Sequence, residues 1–161
     1  LYLYETWHQL DDEDGWLARI ERDRTVYWED GVLRPALAMI DAPPPVYVIP
    51  GGQVMAAFVR ALEDGEGFPG LSDRTDLFAK TEDGTQDQIH FNDWGAYLMA
   101  LTHYAVIYGS DPRGAPSDMR LSDGTRMRPL PDGAADLMQR IVWEVVTQTP
   151  RTGVTRTTGA S

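Results

Sequence analysis

The chain contains no cysteine, which excludes disulfides, thiolate metal sites and cysteine nucleophiles and leaves the compartment undetermined. It has no apolar run long enough to span a bilayer as a helix. Basic residues are the minority, 14 against 25 acidic, for a formal net charge of −11. Such a field repels nucleic-acid phosphates, and polyanionic substrates too unless a local basic patch overrides it, while favouring solubility. No internal repeat is present. Serine is sparse: Ser72, Ser110, Ser117, Ser122 and Ser161 lie in GLSD, GSDP, PSDM, LSDG and the tail, and none follows an apolar strand. The chain opens on Leu1 inside the strand-like run LYLYETW. Upstream sequence is therefore expected, and the absence of a signal peptide carries no information about export; secreted, periplasmic and cytoplasmic residence all stay open.

What is present is enough for one domain. The 161 residues are 42% hydrophobic, in the globular range, and the expected division is a single domain over 1–149 and a flexible tail over 150–161. LYLYETW reads as a short buried strand, and DDEDG, Asp11 to Gly15, as a solvated turn or helix entry. Trp16, Leu17 and Ile20 begin helical material that is expected to break near Gly31. A second helix is expected over about Leu33 to Ile40, with Pro35 tolerable only in its first turn. Pro43 to Pro45 end it.

Val46 to Pro50 is β-branched, apolar and too short for a helix, so it reads as a central parallel strand. Gly51 and Gly52 turn the chain into an amphipathic helix marked by Val54, Met55, Phe58, Val59 and Leu62. Strand, glycine turn and helix make one unit of a parallel α/β sheet. A short helix is expected over Asp73 to Ala79, and Thr81 to Gln88 reads as polar and irregular. The strongest helix follows, with Asn92 or Asp93 as cap, Trp94, Leu98, Leu101, Ala105 and Tyr108 on its apolar stripe, and Gly109 as its end. Met119 to Met127 reads as a hairpin around Asp123-Gly124, and a last helix is expected from Asp132.

Asp87 and His90 stand three residues apart, just ahead of the strongest helix. An imidazole acts as general base when one nitrogen faces the nucleophile and the other donates to an acceptor that fixes its tautomer. Asp87 is near enough to be that acceptor. By itself D-x-x-H is a weak pattern, and the same pair also serves a loop aspartate closing a turn beside a histidine bonded to backbone.

DQIHFNDWGAYLMA resembles the C-terminal block of the SGNH (GDSL-like) hydrolases, in which an Asp-x-x-His motif precedes a helix. The order LYLYETW, VYVIPGGQ with its helix, then this block, is similar to the last strands of that fold over about Leu1 to Gly109. The resemblance implies a partial flavodoxin-like three-layer α/β/α sandwich with a parallel sheet, its N-terminal strands lying upstream. It implies ester hydrolysis, of acetyl groups on carbohydrates or of small or lipid-like acyl esters, with His90 as base and Asp87 as its orienting acid. No cofactor and no metal is implied. The family's Gly-Asp-Ser block and its oxyanion elements are not recognisable here, so the triad's serine is expected upstream and this segment alone is expected to be inactive. Oxyanion stabilisation is commonly the largest catalytic contribution, which makes that departure consequential.

Further candidates follow from position. Glu5, Thr6 and Trp7 end a candidate strand, and ligands of open α/β sheets lie beyond strand carboxyl ends. Glu5 and Trp7 are therefore candidate substrate contacts, as is Gln53 after Gly51 and Gly52; ordinary packing and capping is the competing assignment. The two glycines either cradle an anion or make a tight turn. His8 reads as a surface or loop histidine, and His103 as a helix histidine with a satisfied hydrogen bond. His90, Asp87 and Asp93 can be imagined as an oxygen-rich metal trio, but nothing else in the sequence supports one. The five tryptophans serve either core packing or a carbohydrate-stacking platform. Two functions stand: an ester hydrolase acting on a small-molecule or carbohydrate ester, and a non-catalytic carbohydrate- or protein-binding domain on a degenerate hydrolase scaffold. Oligomeric state is not legible.

Overall fold

The computed structural model describes residues 1–155 and shows a mixed α/β protein with a small parallel sheet wrapped by helices. Strand β1, Tyr2–Glu5, pairs in parallel with β2, Tyr47–Pro50, setting Tyr2 against Tyr47 and Glu5 against Pro50. The outer side of β2 is covered as well, because the Val48 amide donates to the Arg151 carbonyl at 2.9 Å. An outward-facing ladder amide needs such a partner. The start of the expected loose tail is therefore docked, with Thr152 and Val154 buried; residues 156–161 of that tail lie outside the described residues.

The crossover between the strands is a loop over residues 6–15, a helical stretch from Trp16 to Ala38 and a second loop that leads into β2. Helix α1, Trp16–Asp23, buries Trp16 and Ile20. From Arg24 to Leu33 the helix continues with wider, π-type turns, in place of the break expected near Gly31. Helix α2, Arg34–Ala38, is shorter than the expected span and follows the π-type turns directly, with Pro35 as its second residue. Helix α3, Gly51–Glu63, leaves β2 directly and buries Val54, Met55, Phe58, Val59 and Leu62. Each such side chain contributes about 1.5–3 kcal/mol.

Gly51 and Gly52 serve close packing. A Cβ at Gly51 would lie 2.8 Å from the Glu5 carbonyl oxygen, and one at Gly52 would strike the Thr6 carbonyl. Their bare backbone lets α3 start against the end of β1. A capped 3₁₀ turn, Arg74–Leu77, leads into β3, Phe78–Lys80. It replaces the helix expected over Asp73 to Ala79. The stretch expected to be irregular contributes β4, Gln86–Phe91, antiparallel to β3.

Helix α4, Asp93–Tyr108, is capped by Asn92 and closed by Gly109 in the left-handed conformation at φ 60°. Helix α5, Ala134–Gln148, starts after Gly133, just beyond the expected Asp132. Between them, the Leu121 amide bonds to Thr125 and the Met127 amide to Met119, closing a hairpin around Asp123-Gly124. Helices α3, α4 and α5 enclose the core, with Phe58, Leu98, Met138 and Val142 fully buried. No helix of the described residues is long and apolar enough to cross a membrane.

Candidate active site

Asp87 and His90 lie on an irregular stretch of β4. Phe78 pairs with Phe91 and Lys80 with Gln86, so the single residue Ala79 faces the four residues 87–90. Those four leave the ladder as a bulge, a geometry that re-aims side chains. Asp87 closes the bulge from within: its Oδ1 accepts the Ile89 amide at 2.9 Å and the His90 amide at 2.8 Å. This is an aspartate turn.

The same carboxylate also meets the ring, His90 Nδ1 lying 3.0 Å from Oδ2 and 3.2 Å from Oδ1. The two alternatives open in the sequence, turn-former and imidazole partner, are thus filled by one group at once. The His90 and Ile89 backbone amides, followed by the ring, hold the Asp87 pKa down at about 2. An ionised carboxylate only accepts, so Nδ1 carries the proton and donates it. In the neutral form this tautomer leaves the lone pair on Nε2. The His90 side chain is 79% exposed and the Asp87 side chain 24%, so the carboxylate is sheltered behind a ring that faces solvent.

The bulge stands beside the loop that leaves the carboxyl end of β1. Trp7 Nε1 donates to the Ile89 carbonyl at 2.9 Å, and the Leu10 amide to the Gln88 carbonyl at 2.9 Å. The Trp7 ring packs on Phe91, centroids 5.1 Å apart. On the other flank Asn92 does more than cap α4. Its Oδ1 accepts the Trp94 amide at 2.9 Å, and its Nδ2 donates to the carbonyls of Asp76 and Phe78 at 2.8 and 3.1 Å. Sequence flagged Asn92 only as a cap, and its second task depends on β3, which was not legible.

The three candidate substrate contacts face protein partners. Glu5 is 1% exposed, and its Oε1 accepts Gln53 Nε2 at 2.6 Å. Among the described residues Glu5 Oε2 has no hydrogen-bond partner. Burial pushes its pKa up to about 7. Gln53 also donates to the Ile20 carbonyl at 3.0 Å. Sequence placed Glu5 and Gln53 in one cleft; the structure brings them together, but beneath the surface. The Trp7 indole N–H is spent on Ile89.

His8 lies in the loop after β1, half-buried, with Nε2 3.0 Å from Asp23 Oδ2. His103 bonds through Nδ1 to the Met99 carbonyl at 2.8 Å, as a satisfied helix histidine should. Asp93 Oδ2 accepts the Arg128 amide, and among the described residues no cluster of three metal-ligating side chains exists. Trp16, Trp94 and Trp143 lie in the core and Trp7 packs half-buried against it, which fits packing, while Trp28 is half-buried beside the exposed Tyr27 ring. Ser72 Oγ lies 3.4 Å from Asp76 and Ser110 Oγ donates to the Tyr108 carbonyl at 3.2 Å, so neither hydroxyl is turned to His90. Comparison of the chain with family models, with curated proteins and with solved structures yields no match.

Proposed function

We propose that the chain is the acid- and base-bearing part of an SGNH-type ester hydrolase. Its serine and oxyanion donors lie on sequence preceding Leu1, and β1 and β2 belong to a larger parallel sheet of a flavodoxin-like sandwich. The observation that carries this is the Asp87–His90 pair, with Nδ1 3.0 Å from the carboxylate and the ring open to solvent. His90 Nε2 takes the serine proton during attack on the ester carbonyl and gives it to the leaving alcohol as the acyl-enzyme forms. A water then gives a proton to the same nitrogen as it attacks the acyl carbon, and that proton passes to the serine oxygen as the acyl–oxygen bond breaks and the acid leaves. Asp87 stays ionised and balances the imidazolium. Small or carbohydrate esters suit a site this open, and the protein's net negative charge disfavours polyanionic ones.

The test is hydrolysis of p-nitrophenyl acetate by the chain together with its preceding segment. His90→Ala should lower kcat/KM by about 10²–10⁴-fold, the usual worth of a general base. Unchanged turnover would sink the assignment.

A second function, a non-catalytic carbohydrate- or protein-binding domain, draws support from the 79% exposure of the His90 side chain and from the Ser72 and Ser110 hydroxyls being engaged elsewhere. Sequence upstream of Leu1 separates the two. A Gly-Asp-Ser-like element after an apolar strand favours the enzyme, and an unrelated domain favours the binder.

A further inference from the structure

The four-residue bulge that carries Asp87 and His90 outruns its own hairpin, since β3 offers only Ala79 opposite it. Something else must fix where its backbone lies. Two of its carbonyls, Gln88 and Ile89, are taken by donors about eighty residues earlier in the chain, the Leu10 amide and the Trp7 indole, each at 2.9 Å. We propose that the segment 6–10 is a clamp that holds this bulge, with Trp7 as a positioning residue for His90 rather than a substrate contact. Its catalytic meaning rests on the hydrolase assignment above.

The clamp is itself anchored. Trp16 Nε1, on α1, donates to the His8 carbonyl at 2.8 Å, and the His8 ring lies 3.0 Å from Asp23 on the same helix. The Trp7 ring packs on both hairpin strands, 5.1 Å from Phe91 and 6.5 Å from Phe78. Trp7 thus grips the hairpin twice, by its face on the side chains and by its N–H on the carbonyl next to His90. The contribution of such a residue is geometric. A general base loses efficiency when its support allows displacement of about half an ångström, and local opening of a surface bulge allows more.

Trp7→Phe keeps an aromatic ring on Phe91 and removes the indole donor. Two readouts apply, neither of which involves turnover: hydrogen exchange at the Ile89 and His90 amides, which Asp87 holds, and the downfield proton signal of His90 Nδ1. The clamp predicts exchange at both amides roughly fivefold faster, the change that one net hydrogen bond produces in an opening equilibrium. It also predicts a weakened Nδ1 signal, with α3 and α5 amides as protected as before. Should Trp7→Phe lower protection throughout, Trp7→Tyr, a larger ring with a polar edge, takes its place with the same expectation. Unchanged Ile89 and His90 exchange and an undiminished Nδ1 signal in a variant with intact α3 protection would overturn the proposal. The hydrolase assignment fails on a different result, retained ester hydrolysis in His90→Ala, so the two failures are distinguishable.

Discussion

At the scale of single residues, the environments of two carboxylates push them in opposite directions. Asp87 is held at about 2 by the His90 and Ile89 amides and the His90 ring. Because the folded value is depressed, its contribution to stability is present above the ordinary carboxylate range and is lost as pH falls towards 2. A carboxyl-carbon NMR titration should place its midpoint near 2; a midpoint at the ordinary aspartate value would mean that the turn does not form. Asp87→Asn keeps an oxygen for the two amides but offers the imidazolium no charge. It should keep the bulge and, on the proposed hydrolase assignment, lower kcat in the p-nitrophenyl acetate assay.

Glu5 is the converse case. Burial raises it to about 7 against the favourable contacts of Gln53 and Arg24, with Glu29 adding to the rise. A raised carboxyl contributes fully below its unfolded value, near 4.5, and that stability is lost as pH climbs through about 7. The loss is at most about 3 kcal/mol. Thermal midpoints of the native chain should therefore carry a falling component between pH 4.5 and 7 that Glu5→Gln removes. Identical pH profiles for the two proteins would show that Glu5 is not buried as described.

At the scale of elements, glycine and asparagine positions bear most of the specificity. A Cβ at Gly95 would lie 2.6 Å from the Leu77 carbonyl oxygen and strike Phe91 Cβ. Gly95→Ala should therefore destabilise by about 1–3 kcal/mol, although alanine is the better helix former. A rise in the unfolding midpoint would contradict the close approach of α4 to the hairpin. Asn92→Ala removes a cap worth about 1 kcal/mol and two donors to the preceding turn and β3. Its measured loss in denaturant unfolding should exceed that of a cap alone.

The same elements show why some of the fold was legible and some was not. VYVIP with its two glycines announced β2 and α3, because a β-branched run and a 3.6-residue stripe are strong local signals. The cap at Asn92 and the end at Gly109 were legible for the same reason. Strand β4 was not, since QDQIHF is polar and its partner is three residues long with a bulge between them. The Asp87–His90 pair was visible as spacing, but the clamp from Trp7 and Leu10 was hidden, because backbone carbonyls leave no mark in sequence. Likewise the burial of Glu5 depends on Gln53, 48 residues away.

At the scale of the whole molecule, the Asp87–His90 pair lies where the loop after β1 meets the bulged β3–β4 hairpin. A two-stranded parallel sheet rarely stands alone, and here helices and the segment around Arg151 enclose it. On that support an open imidazole is presented with its rear nitrogen already committed. The most direct check on this account is the ¹⁵N spectrum of the His90 ring in the unmodified protein at neutral pH. The neutral form of the ring should carry its proton on Nδ1 and leave Nε2 bare. A neutral ring with the proton on Nε2 would leave no base facing outward and would contradict the account at its centre.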